Sequence, residues 1–459
     1  MWTADSTATN PNKQKNTRAR HICPRCCYIH TYGTLDLSER LYPSRGIFRS
    51  EQVCLTFCYH NSRIAMPLLT LATATAAGAG LGIAVGLFAG NRRKDLPPRR
   101  LRSWSDSINV VQYNVLADGK YAAVGKHSKS THGGYNDHSK PSEREWRNRF
   151  PKLMQEMDAM AGDIYALEEI QYSRYQDSFR TAFGRRGFTT ILSYDPSKDR
   201  GKPKRTSEED LHVMIAVRDT TLKVVDTKVI DFAAETVKYQ QHLPLELAQD
   251  EWFATVREKD NSALVALIEH HETKRRIVVV ATHLYWHPAH PDIKALQACM
   301  LTQGLGKALA SWGLPSNQSA PLILCGDLNS QPRNSLVHGG AEGVYELLTQ
   351  GTLPQSHPDH PATPKPRILR EEARPAACPG LPDLTTHGLI LQSAFKAKTG
   401  HEMAYTTKTT QFTGTLDFIF TAGSSIEVLD VLSLPRPSDT PSGMPTATWP
   451  SDVSSRFVF

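Results

Sequence analysis

From Ile108 onward the chain is punctuated by short apolar runs rich in Val and Ile. They are Ile108–Val111, Val213–Val217, Ala263–Ile268, Ile277–Ala281, Leu322–Cys325, Leu416–Phe420 and Val428–Leu432. Each is too short for a buried helix and has the β-branched content of a buried strand. Helical patterns lie between some of them. Arg144–Ala161 places Phe150, Leu153, Met154 and Met157 on one face, and Asp292–Leu309 does likewise with Ile293, Leu296, Met300 and Leu305. Gly343–Gln350 is a shorter helical stretch. Strands alternating with helices predict an α/β domain built in packed layers. Two segments are expected to be loops: Asp195–Asp210, which is polar and basic, and Pro354–Pro382, where eight prolines exclude regular structure.

The chain is 40% hydrophobic and 8% aromatic, enough to bury a core, so wholesale disorder is excluded. Its formal net charge of +7 would suit a nucleic-acid or membrane surface if it were spread over the folded part. It is not: the first 100 residues hold 14 Lys/Arg against five acids, which leaves −2 for the remaining 359. Cysteine usage divides the same way. Cys299, Cys325 and Cys378 are too scattered for a disulfide framework, so the main domain is expected to be intracellular.

Cys23, Cys26, Cys54 and Cys58 in the leader could close a tetrahedral zinc site. The wide gap between the two pairs and the lack of a ribbon pattern favour a disordered, basic leader over residues 1–66. Residues 67–94 form a second segment. Pro67–Gly90 carries no charge and is long enough to cross a bilayer as a helix, and Arg92, Arg93 and Lys94 follow at once. The expectation is a membrane anchor that keeps the rest of the chain in the cytosol, or a mitochondrial targeting segment. A Gly/Ala-rich linker is the alternative.

Polar motifs sit where the apolar runs end. Val111–Asp118 puts Asn114 and Asp118 just past a strand, and Asp163–Ile170 puts Glu168 and Glu169 at a strand end. Val278–Pro288 sets His283 directly after a β-branched run. Leu322–Asn329 breaks at Gly326 and places Asp327 and Asn329 two apart, on the same side of an extended chain. Phe412–Phe420 has Asp417 entering a strongly apolar strand, where a charge must be paired or liganded. Each motif alone has a structural explanation, as a turn residue, a solvated carboxylate pair or a satisfied histidine.

In this order the motifs resemble the endonuclease/exonuclease/phosphatase superfamily, which has the DNase I-like fold. The likeness is to its branch of deadenylases, nocturnin, angel proteins and 2′-phosphodiesterase. The phrases YNVLAD, THLYWHP, DIKALQ, CGDLNSQP, GVYELL and FTGTLDFIF carry the resemblance, which covers residues 107–459. It implies a four-layer α/β sandwich of two β-sheets flanked by helices. It also implies phosphodiester hydrolysis dependent on Mg²⁺ or Mn²⁺, first of all as a 3′→5′ exoribonuclease on poly(A)-like RNA. Such chemistry places water in line with the leaving oxygen and neutralises the non-bridging oxygens, and Mg²⁺ needs few protein carboxylates for this.

The resemblance assigns roles residue by residue. Glu169 matches the metal-binding glutamate; the family usually has Gln before it, where this chain has Glu168. Asp327 matches the residue that orients or deprotonates the attacking water, and Asn114 and Asn329 match amide donors to the phosphoryl oxygens. Asn261 matches a substrate-side position, His283 the first of two active-site histidines, and Asp417 an aspartate near the metal and base. Pro288 and Phe412 match positions that sandwich an adenine.

The family ends in Ser-Asp-His, whereas here Asp452 is followed by Val453, which a short deletion would explain. The chain as written is therefore expected to be impaired. Hydrolysis of a small adenine nucleotide (a 2′,5′-oligoadenylate or a dinucleotide phosphate) is one alternative, and a catalytically dead binding protein is another. The −2 charge of the main domain fits a small nucleotide at least as well as long RNA. No leucine-rich repeat precedes the domain, so adaptor docking in the large deadenylase complex is not expected.

Overall fold

The computed structural model describes residues 107–118, 139–195, 211–315, 321–333, 340–365, 375–410, 412–424, 426–432, 443–446 and 448–452. The expected leader, the Pro67–Gly90 stretch and Asp195–Asp210 beyond its first residue lie outside them, as does everything after Asp452. Among the described residues no helix is long and apolar enough to cross a membrane.

Two mixed sheets carry the fold. The first consists of β1 (Val110–Asn114), β2 (Ile164–Gln171), β3 (Phe188–Leu192) and β4 (Leu211–Arg218), in the order β1-β2-β4-β3. The second contains β5 (Leu222–Asp231), β6 (Ser262–His270), β7 (Arg276–His283) and β8 (Leu322–Asp327). Two-residue pairs follow at β9 (Thr352–Leu353) with β10 (Leu384–Thr385), and at β12 (Thr407–Lys408) with β13 (Thr413–Gly414). With β11 (Gln392–Ser393) and β14 (Asp417–Ala422), the second sheet has the order β11-β14-β8-β7-β6-β5. β1 and β2 run parallel, as do β7 and β8; every other pairing is antiparallel.

Strand periodicity of two sorts the side chains into layers. Val110, Ile164, Ala166, Ile215 and Val217 face Leu264, Ala266, Val279, Ala281, Ile323 and Cys325 between the sheets. The intervening residues face outward. Val111, Tyr113, Tyr165 and Leu167 pack under the helix Trp146–Met160, and Val278, Val280, Leu322 and Leu324 pack under the helix Pro291–Ser311. The result is helix, sheet, sheet, helix, the four-layer sandwich that the resemblance implies. Because both faces of the central strands are covered, they read as continuous apolar runs.

The structure changes two sequence expectations and adds to a third. The predicted helix Arg144–Ala161 is two, Pro141–Arg144 and Trp146–Met160, because Glu145 between them is extended and caps the second. Val428–Leu432 is not a strand. The sheet ends at β11, which pairs with Phe420 and Thr421 of β14, and the run joins neither strand. Val428 and Val431 instead give apolar cover to the inter-sheet core. The described parts of Pro354–Pro382 lack regular elements, as expected, yet buried polar groups hold them in place. Lys365 Nζ donates to the carbonyls of Pro358, His360 and Thr363.

Candidate active site

The polar residues of the strand-end motifs meet at one end of the sandwich because ladder register puts them there. On the parallel pair β7–β8, His283 is level with Asp327, and on the antiparallel pair β14–β8, Asp417 is level with the same Asp327. Asn114 ends β1 opposite Glu168 of β2. Gly326, one rung back, is required by close approach: a Cβ there would lie 2.4 Å from the Thr282 carbonyl oxygen.

Glu169 reaches the same place by a local irregularity. The β2–β4 register shifts between Leu167 and Ile170, so Glu168 and Glu169 together oppose Val213. Such a bulge turns a side chain away from the regular alternation. Glu169 takes φ 60°, a left-handed conformation costly for a glutamate, and Asn329 (φ 48°) and Leu116 (φ 57°) do the same nearby.

A hydrogen-bond network joins these side chains. Asn114 Nδ2 donates to Glu169 Oε1 and to Asp327 Oδ2, each at 3.0 Å. Glu169 Oε2 accepts from the Ala117 N–H at 2.8 Å. Asp327 Oδ1 accepts from the Asn329 N–H at 2.9 Å, and its other oxygen lies 3.8 Å from His283 Nε2. Asn329 Nδ2 sits 3.0 Å from His283 Nε2 and donates to the Leu284 carbonyl. Asn261 Nδ2 donates to the His283 carbonyl, and Gln297 ties Asn261 to the Tyr285 N–H. Ser451 Oγ donates to the Asn114 carbonyl at 2.7 Å, which brings Asp452 to the same end.

Beneath this layer lies a buried carboxylate group. Gln112 Nε2 donates both to Glu168 Oε2 (3.0 Å) and to Asp417 Oδ1 (2.9 Å), and Thr406 and Thr407 hydroxyls donate to Asp417 Oδ2. Glu168 and Asp417 are fully buried. Loss of solvent, followed by the negative charges of Asp417 and Asp327, holds the Glu168 carboxyl well above the usual range. Asp417 is pushed up by burial and then by Asp327. Asp327 is itself raised by burial, with His283 pulling the other way. Among the described residues Glu168 Oε1 has no hydrogen-bond partner.

The donor set suits a hard divalent cation. The half-buried Glu169 carboxylate lies beside Asp327, and Asn114 Nδ2 bridges the two. Among the described residues no group of three His, Cys, Asp or Glu forms a closed metal cage. An open, oxygen-only site with one or two carboxylates is what Mg²⁺ or Mn²⁺ uses, leaving positions for water and phosphate.

Pro288 and Phe412 lie on separate turns. Pro288 is exposed where the His290 N–H closes back on the His287 carbonyl. Phe412 is half-buried beside the β12–β13 pair, over Gly414 and next to Gln331. Sequence reasoning missed Gln112, Thr406, Gln297 and Arg149. For Arg149 a signal existed: with Glu156 it falls in the buried stripe of Trp146–Met160, alongside Leu153, Met157 and Met160.

Residues 111–452 match the sequence profile of the Endonuclease/Exonuclease/phosphatase family, so the chain belongs to this family of hydrolytic nucleases and phosphodiesterases. It is 24% identical over 362 residues to the CCR4-Not complex 3′-5′-exoribonuclease subunit Ccr4 of Phaeosphaeria nodorum, across 71% of this chain and 54% of the relative. It is 28% identical over 351 residues to the CCR4-NOT transcription complex subunit 6-like-B of Xenopus laevis, across 71% and 58%. The chain thus spans about half the length of the curated relatives it matches. Among solved structures it resembles ANGEL2, a 2′,3′-cyclic phosphatase in complex with adenosine-2′,3′-vanadate, with a TM-score of 0.56 at 19% identity. That match covers 77% of this chain and 94% of the other, and at this identity the likeness is one of fold.

Proposed function

We propose that residues 107–459 form a divalent-metal-dependent phosphodiesterase that trims poly(A)-like RNA from its 3′ end. The observation that carries this reading is the convergence of Asn114, Glu169, His283, Asp327 and Asn329 in one hydrogen-bonded group at the strand ends. The relative named as a 3′-5′-exoribonuclease supports the RNA substrate.

On this reading Glu169, held by Asn114 and the Ala117 N–H, is the carboxylate that holds the cation. A bound cation would neutralise charge on the phosphoryl oxygens. Asp327 has both oxygens oriented by donors, and its raised proton affinity makes it a better acceptor for the proton of an attacking water. Asn329 and His283 donate toward the oxygens that gain charge. Phe412 offers a ring face for a base. Asp452 has no following histidine to orient. Losing one such preorganised donor costs about 10²–10³ in rate, so the chain as written is a slow enzyme.

The test is shortening of a 5′-labelled oligo(A) in Mg²⁺ by three proteins: the chain as written, Glu169→Ala, and a variant with His-Leu-Ala-Leu inserted after Asp452. We expect slow 3′ trimming, none, and trimming faster by about 10²–10³, respectively. No trimming by the first and third proteins refutes the RNA reading. A second reading, a small adenine nucleotide as substrate, is favoured by the −2 charge outside the leader, since long RNA is normally held by a basic track. Consumption of 2′,5′-oligoadenylate with oligo(A) untouched would establish it.

A further inference from the structure

Arg149 is fully buried, although arginine is among the residues least often found so. It stands on the helix Trp146–Met160, with its guanidinium 5.8 Å from the Trp146 ring centroid. Its donors go entirely to main-chain carbonyls. Nη2 donates to Val115 and Leu116, Nη1 to Ala117 at 3.4 Å, and Nε to Pro450 at 2.7 Å. One fork therefore holds three consecutive peptide units after β1 and the chain entering Ser451-Asp452.

Those three peptide units are held at both ends. A trans peptide is planar, with its C=O and N–H pointing in opposite directions. Drawing the carbonyls of Val115, Leu116 and Ala117 toward the guanidinium turns the N–H groups of Leu116, Ala117 and Asp118 the other way. Those N–H groups meet Asn114 Oδ1 (3.0 Å), Glu169 Oε2 (2.8 Å) and Gln171 Oε1 (3.0 Å). Leu116 sits at φ 57°, a conformation with no local reason in a leucine, and the fork supplies one. On the other side, Ser451 Oγ donates to the carbonyl of Asn114, so the segment fixed through Pro450 closes back on the same strand end.

We propose that Arg149 is the positioning residue of this active site. It orients the Val115–Asp118 peptides so that the Ala117 N–H fixes Glu169, and it locks the Pro450–Asp452 segment to the same loop. The metal part of the proposal rests on the reading of Glu169 as the cation ligand. The loop part does not. The Pro450–Asp452 segment is thus coupled to Glu169 by two routes, the Arg149 guanidinium through the Ala117 peptide and Ser451 through Asn114.

Lysine is the informative replacement, because it keeps the charge but offers a point donor where the site uses a fork. In full-length Arg149→Lys we expect a single cooperative melt. Hydrogen exchange at the amides of Leu116, Ala117 and Asp118 should be at least about 10-fold faster, and Mn²⁺ affinity, followed by the spin resonance of the free ion, should be about 10–100-fold weaker, the usual cost of losing a group that orients a ligand. In Arg149→Ala, millimolar guanidinium should restore slow exchange at those three amides and not elsewhere. A purely structural role would instead speed exchange across the whole helix–sheet layer. Wild-type exchange at the three amides in Arg149→Lys overturns the proposal. If wild-type protein binds no Mn²⁺, the metal reading of Glu169 fails, and the exchange data still decide the role of Arg149. If the Ala variant does not fold, the Lys variant decides alone.

Discussion

Replacing Glu168 by glutamine should stabilise the metal-free protein, and increasingly so as the pH rises. Glu168 is completely buried, one of its oxygens is satisfied by Gln112, and the other has no partner among the described residues. Burial first, and the Asp417 and Asp327 charges next, raise its proton affinity well above the ordinary carboxylate value of 4.5. The folded chain therefore prefers the protonated acid. Its contribution to stability is complete below pH 4.5 and is lost as the pH climbs toward the folded-state value, because the unfolded chain releases the proton and the fold does not. Each unit in that window costs up to about 1.4 kcal/mol per proton. The proton is shared among carboxylates that interact, so the slope belongs to the group and shrinks when one member becomes neutral.

Glu168→Gln removes the charge, keeps the shape and supplies N–H donors in a pocket crowded with acceptors. In EDTA the variant and wild type should melt close together near pH 5. They should diverge up to pH 8, by about 2–4 °C for each kcal/mol in a domain of this size. Adding Mg²⁺ should narrow the gap, since a bound cation offsets the same negative charge. Calorimetric melts across this pH range are sufficient. Parallel pH profiles for the two proteins, or a lower melting temperature for Glu168→Gln at pH 8, would refute the reasoning.

Three further outcomes follow from the geometry. Asn114→Ala removes the donor shared by Glu169 and Asp327 and the acceptor of the Leu116 N–H, so hydrolysis should fall by about 10²–10³ and stability by about 1–3 kcal/mol; unchanged turnover of oligo(A) or 2′,5′-oligoadenylate would count against it. Gly326→Ala drives a methyl into the Thr282 carbonyl and pushes β8 from β7 one rung before His283 and Asp327. It should cost about 1–3 kcal/mol and most of the activity, read by denaturant melts alongside the assay. His360 is fully buried, with Nδ1 accepting from the Ala362 N–H and the other nitrogen facing the Pro382 carbonyl; burial pushes it down to about 4 from 6.5. Its neutral form is the folded one, so its stabilisation is intact above pH 6.5 and is lost as the pH falls toward 4, by up to about 3 kcal/mol. His360→Asn keeps an acceptor for Ala362 and should flatten that acid limb, which urea melts between pH 4 and 7 would show.

The central strands were legible because covering both faces of a strand leaves a continuous apolar run that no surface element imitates. β5 was not, for the opposite reason: it is the edge of the six-stranded sheet, it carries Lys223, Asp226 and Lys228, and Val225 and Val229 remain exposed. Val428–Leu432 had the composition of a strand but joins no ladder and packs on the inter-sheet core instead, and composition carries no information about neighbours.

The site divides along the same line. Asn114, His283, Asp327 and Asp417 could be read because each stands at the end of an apolar run, where the fold delivers side chains to one edge. Their support could not. Gln112 meets Asp417 across 305 residues, and Arg149 meets Pro450 across 301. Nor can left-handed backbone at Leu116 and Glu169 be foreseen in residue types that avoid it. Those two conformations exist because groups distant in sequence over-determine them: the Arg149 carbonyl contacts at Leu116, and the Asn114 and Ala117 donors at Glu169. The chemistry is written at strand ends, while the geometry that makes it usable is held by buried polar residues inside otherwise apolar stripes. A charged residue at a core position of an amphipathic helix, such as Arg149 between Trp146 and Leu153, is therefore the sequence feature to question first.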